Sequence, residues 1–173
     1  MLEIGMICAE AGEKIARVSV NMAMAADMEV RASSTATTGA YSSACQRGLP
    51  AILMERGGGG RFTDSEVQAY KQDVKNIMIR MGLLSGEEVH TVQQKNVTRA
   101  EYLEAETDGL WYPVFSAGDT FAGGAVLGTV RDIWGNLLRE YRADYPGIIL
   151  YQTVGLGVKT GDPLIAYGEY VDR

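Results

Sequence analysis

The sequence is poor in the residues that most often hold metals or crosslinks: one histidine and two cysteines in 173 residues, with only four prolines. With His90 alone, a histidine-rich metal site inside the chain is impossible, and neither H-x-x-E nor H-E-x-x-H spacing occurs. Cys8 and Cys45 lack C-x-x-C spacing, so neither a disulfide scaffold nor a cysteine zinc site is expected, and a reducing cytoplasm is the natural compartment. Cys45 and His90 also make a poor nucleophile and base, because nothing supplies a third, orienting group. Positive charge is scarce too. Sixteen basic side chains against 22 acidic ones give a net charge of −6 without any dense basic patch. That balance argues against nucleic acid and anionic membranes as partners and favours a small molecule or another protein. No run of 18 apolar residues exists, and "MLEIGMICAEAGEK" has an early acid and no basic n-region, so neither a membrane span nor a signal peptide is expected.

What is present suits a folded globular chain, with 46% hydrophobic residues. Ile15, Val18, Met22 and Ala25 recur at helical spacing and predict an amphipathic helix over roughly residues 9–27, its methionines packed in a core. "MEVRASS" and "AILMERG" read as strands, separated by a segment rich in small residues. Thr63 and Glu66 have capping-box spacing ahead of an apolar stripe of Val67, Tyr70, Val74, Ile77, Met78 and Met81, and Gly82 closes the helix.

The stretch "AILMERGGGGRF" needs an explanation of its own, because an apolar strand ends in Glu55 and Arg56 and then in four glycines. A carboxylate there is paired, exposed, or placed for chemistry. The glycines either cradle an anion at the following helix or let the chain turn tightly beside a packed pocket.

Residues 1–85 read as an α/β domain, 86–107 as a polar connector with one or two strands inside it, and 108–173 as all β. The last region carries a weak repeat at an offset of about 38 residues. Gly109 falls on Gly147, Gly123 on Gly161, and Val126-Leu127 on Leu164-Ile165. Two such interlocked units build a small barrel or sandwich, and this region resembles the barrel-sandwich of biotinyl and lipoyl carriers. The joining segment "RDIWGNLLREYRADYP" holds no lysine to modify, and Lys159 lies inside the second copy, which argues against a carrier.

Together, "TTGAYSSACQRGLPAILMERGGGGRFTDSEVQAYKQDVKNIMIRMGLL" and "GLWYPVFSAGDTFAGGAVLGTVRDIWGN" resemble the C-terminal half of the succinylglutamate desuccinylase / aspartoacylase family. That resemblance implies a truncated zinc-carboxypeptidase-like α/β portion followed by a C-terminal barrel-sandwich. It further implies a zinc-dependent amidohydrolase that cleaves the amide or ester bond of a small N-acyl amino acid. Glu55 matches the family's strand-end glutamate, a general acid/base that takes a proton from the zinc-bound water and delivers it to the leaving amine. Tyr41, Ser42 and Arg61 lie near Glu55 in sequence and are candidates for substrate contact. The family's zinc ligands are expected upstream, and no residue of this chain replaces them. The resemblance therefore implies a portion that is inactive alone and works as a homo-oligomer or with a zinc-bearing partner polypeptide. The alternative is a truncated, non-catalytic relative acting as a binding or interaction module.

Overall fold

A computed structural model describes residues 4–8, 12–34 and 37–171 of the chain. It is a mixed α/β fold with two sheets and three helices among these residues, and it divides into two compact units at Val97/Thr98.

The first unit runs β1 (Ile4–Cys8), α1 (Glu13–Ala25), β2 (Val30–Ser34), α2 (Ala40–Gln46), β3 (Ile52–Glu55) and α3 (Asp64–Arg80), and takes in the first residues of β4 (Lys95–Glu104). Its strand order is β3-β1-β2-β4. β2 lies parallel to both β1 and β4, whereas β3 runs antiparallel to β1, opposing Glu55 to Ile4 and Met54 to Gly5. β3 is thus an edge strand with hydrogen-bonding groups on one side unclaimed by a neighbouring strand. Two elements were not legible beforehand: β1, and α2, whose small residues carry no apolar stripe. Residues 9–11, where the first helix was expected to begin, lie outside the described residues.

α3 forms for the reasons its sequence gives. The Thr63 hydroxyl accepts from the Glu66 amide at 3.3 Å while Glu66 accepts from the Thr63 amide at 2.6 Å, closing the capping box. Asp64 and Glu66 favour the positive end of the helix dipole and Arg80 the negative end. Gly82, at φ 72°, lets the chain reverse. Its burial, however, departs in part from what periodicity predicts: Val67, Tyr70 and Ile77 of the stripe are partly buried, but the rest is not. Val74, Met78 and Met81 are 49%, 37% and 40% exposed, and the buried residues are Asp73 and Asn76. The stripe is split in this way because the inward face also carries polar side chains with specific partners. Asn76 donates to the Val89 carbonyl at 2.7 Å and accepts from the Val89 amide at 3.0 Å, clipping the following segment to the helix.

The second unit, Thr98–Tyr170, contains the rest of β4, then β5 (Gly109–Pro113), β6 (Thr120–Phe121), β7 (Val126–Arg131), β8 (Leu137–Arg142), β9 (Gly147–Gln152), β10 (Gly157–Val158) and most of β11 (Pro163–Val171). The repeat is visible in its strands. β5 corresponds to β9, β6 to β10 and β7 to β11, and the copies exchange their short strands: β6 pairs with β9 and β10 with β5. After the first strand the offset slips from 38 to 37, so that Gly124 (φ 79°), not Gly123, matches Gly161 (φ 89°). Both occupy the left-handed region that glycine alone enters readily, which fixes the register of the turn.

A single cluster forms the core of this unit. Trp111, 2% exposed, packs edge-on against Tyr141 with ring centroids 5.7 Å apart, and Gly128 lies so close that an added Cβ would sit 2.2 Å from the indole. The other tryptophan, Trp134, stands 82% exposed at the tip of the β7–β8 hairpin, its amide held by the Asp132 carboxylate at 2.8 Å. No helix among the described residues is long and apolar enough to cross a membrane.

Candidate functional site

β3 delivers Glu55 to the surface. The three residues before it are partly buried, while Glu55 is exposed, and among the described residues its carboxylate has no hydrogen-bond or ion-pair partner. A carboxylate free of partners at the end of a paired strand is available to accept and return a proton.

What surrounds that carboxylate is far more constrained. Arg56, whose side chain is 3% exposed, forms an ion pair with the fully buried Asp73 of α3 at 2.7 Å. Its Nε donates to Asp73 Oδ2 at 2.8 Å and its Nη2 to the Asp27 carbonyl at 2.8 Å. Asp73 uses its second oxygen to accept the Asp27 amide at 2.7 Å. The Tyr70 hydroxyl accepts from the Arg56 amide at 2.8 Å and donates to the Met54 carbonyl at 3.2 Å. Three elements thus meet behind the strand end: β3, α3, and the turn between α1 and β2.

That turn is itself fixed. The Asp27 carboxylate accepts from the Thr91 amide and hydroxyl and from the Val92 amide, at 2.6–3.1 Å. Partial burial opposes its ionisation, but these bonds and nearby His90 together hold its pKa below the ordinary carboxylate range. His90, the lone histidine, is taken up by Glu88 at 2.9 Å. Glu88 also pairs with Arg80, and chiefly through that hydrogen bond its pKa is held down to about 2.

Three of the four glycines are explained by backbone conformation. Gly57, Gly59 and Gly60 lie at φ 74°, 61° and 70°, and a Cβ on Gly57 would come within 3.1 Å of Glu66. An anion cradle is disfavoured here, since the helix beyond is capped by its own Thr63–Glu66 box and begins with acids.

The other anticipated residues scatter. Tyr41 is half-buried and lines a cavity of about 450 Å³ between α2 and β3, with Ala44, Ile52 and Leu53 among its walls. Glu55, Ser42 and Arg61 are not part of that lining. Ser42 is fully buried, with a hydroxyl that has no hydrogen-bond partner among the described residues, and Arg61 is exposed on the glycine loop, its backbone bridged to Gly58. Sequence reasoning missed Arg56, Tyr70, Asp73 and Asp27. The available signal was a charged residue, Asp73, one turn beyond Tyr70 on a helix taken to be apolar inside.

Among the described residues no group of three or more histidine, cysteine, aspartate or glutamate side chains could hold a metal ion. Zinc does not fit what is described of this chain, and no metal step is assigned to it.

No family model matches the chain, and no curated protein does. Solved structures do match it in fold. The product-bound ectoine utilization protein EutE (DoeB) from Ruegeria pomeroyi is 20% identical with a TM-score of 0.84, over 97% of this chain and 53% of that one. A succinylglutamate desuccinylase/aspartoacylase from Rhodobacter sphaeroides is 20% identical with a TM-score of 0.80, over 99% and 54%. An aspartoacylase family protein from Mesorhizobium loti is also 20% identical, with a TM-score of 0.77 over 99% and 53%. The resemblance to desuccinylase/aspartoacylase proteins therefore holds at the level of fold, and the chain spans about half the length of the structures it matches.

Proposed function

We propose that this chain is the acid/base-bearing half of a deacylase that cleaves the amide or ester bond of a small N-acyl amino acid, with Glu55 moving the proton. The observation that supports it is an exposed carboxylate, without a polar partner among the described residues, at the end of a strand whose next residue is locked into a buried ion pair, in a fold shared with desuccinylase/aspartoacylase structures. In hydrolysis of an amide, Glu55 would accept a proton from the attacking water and return it to the departing amine, so that no strong base leaves unprotonated. The family's zinc would act as Lewis acid in such a reaction, and it would have to be held by polypeptide outside the described residues. We further assign the second unit to the barrel-sandwich type, on the strength of its exchanged short strands.

The surface that would receive the remaining polypeptide, or a second copy of this chain, lies in the first unit: the part of the β3 edge that Tyr70 does not occupy and the exposed apolar side chains of Val74, Met78 and Met81. Light scattering of the 173-residue chain at micromolar concentration is expected to give a mass above the monomer, and a stable monomer would contradict the self-association arm. Elemental analysis of the same sample is expected to find no stoichiometric zinc, and assays with N-acetyl and N-succinyl amino acids no hydrolysis. One tightly held zinc per chain would overturn the division of labour.

A second reading, a non-catalytic binding module, is favoured by one observation, the exposed apolar side chains of Val74, Met78 and Met81 on α3. Turnover by an assembled enzyme that depends on Glu55 would remove it.

A further inference from the structure

We propose that Tyr70 is a positioning residue for Glu55, its single hydroxyl clamping the backbone on both sides of that residue. The inference rests on the acid/base reading of Glu55. In a strand, the carbonyl of one residue and the amide of the residue two further on point toward the same edge. Tyr70 exploits that alternation. Its hydroxyl donates to the Met54 carbonyl at 3.2 Å and accepts from the Arg56 amide at 2.8 Å, so both peptide groups flanking Glu55 are tied to one atom. β3 is an edge strand with only four residues, and its last residue would otherwise fray.

The phenol is in turn held in place. The Arg56 guanidinium lies 5.8 Å from the centroid of the Tyr70 ring while gripping Asp73, one helical turn along α3 from Tyr70. Residue 56 is therefore bound through its amide by Tyr70 and through its side chain by Asp73 and the Asp27 carbonyl. Glu55 between these points keeps its side chain free while its Cα is fixed. A general acid/base needs that combination, because proton transfer demands hydrogen-bond reach in a repeatable direction.

The test compares Tyr70→Phe with Thr63→Ala. The first removes only the hydroxyl, and the second breaks the α3 capping box without touching the clamp. On the 173-residue chain, amide exchange at Arg56 followed by NMR is expected to speed up about tenfold in Tyr70→Phe, the loss of one backbone-satisfying hydrogen bond. It should change little in Thr63→Ala, and the Glu55 side-chain carboxyl resonance should shift in the first variant only. In the complete, metal-loaded enzyme, Tyr70→Phe should lower kcat about tenfold with KM within about twofold. Equal responses of Arg56 exchange in the two variants would overturn the clamp, as would equal falls in kcat. If Glu55→Gln leaves turnover intact while Arg56 exchange still answers to Tyr70, the acid/base reading falls and the clamp stands.

Discussion

Glu55→Gln in the complete enzyme is expected to lower kcat by about two to four orders of magnitude, the usual contribution of a positioned general acid/base. The amide keeps the size and hydrogen-bonding reach of the carboxylate but can neither take a proton from water nor hand one to an amine. The fold should not notice. Glu55 is exposed and has no polar partner among the described residues, so the substitution removes no internal contact and stability should stay within about 0.5 kcal/mol. The measurement is steady-state kinetics beside urea unfolding. Retained turnover would take Glu55 out of the mechanism, and a large stability loss would show that it has a structural task.

Arg56→Ala is expected to act the other way, on stability first. The guanidinium and the Asp73 carboxylate are nearly inaccessible to water, and removing one member strands a charge in a region that cannot hydrate it. Breaking a buried pair in this manner costs about 3–5 kcal/mol, a large part of the roughly 5–15 kcal/mol that holds an ordinary domain together. Arg56→Lys should recover only part of this, since a single ammonium cannot reach Asp73 and the Asp27 carbonyl in the forked geometry seen here. Urea unfolding followed by circular dichroism measures both variants. A loss below about 1 kcal/mol for Arg56→Ala would mean that the pair is not as buried in solution as its geometry indicates.

These two neighbouring residues differ in how much of their placement a sequence pattern can signal. The strand end at Glu55 has a local signal, a polar residue closing an apolar run before glycines, and β3 does end there, while the acid/base role comes from the resemblance. The capping box of α3 and the strands of the second unit are local in the same sense, and there the structure follows the pattern of residues. Arg56 carried no such signal. Its partners Asp73 and Asp27 lie 17 and 29 positions away, a separation no periodicity encodes. The same limit explains α3, where periodicity identifies an apolar face but not what covers it. Asp73 and Asn76 sit inward because each meets a partner that only the tertiary fold supplies. Ser42 makes the point for the candidate site, since nearness in sequence to Glu55 said nothing of its burial. The zinc expectation came from family likeness alone, and no local pattern in this chain could support it.

The distribution of chromophores gives the two units separate optical signatures. All three helices described lie before Val97, while both tryptophans, Trp111 in the core and Trp134 at the hairpin tip, lie after it. Helical ellipticity therefore reports the unit that carries Glu55, and indole emission reports the β unit: a shielded, blue-shifted component from Trp111 and a water-exposed one from Trp134 that iodide quenches. Melting curves recorded by the two methods on one sample would tell whether the units lose structure together or in turn. An Arg56 variant that shifts only the ellipticity curve would localise its damage to the first unit without any new structure.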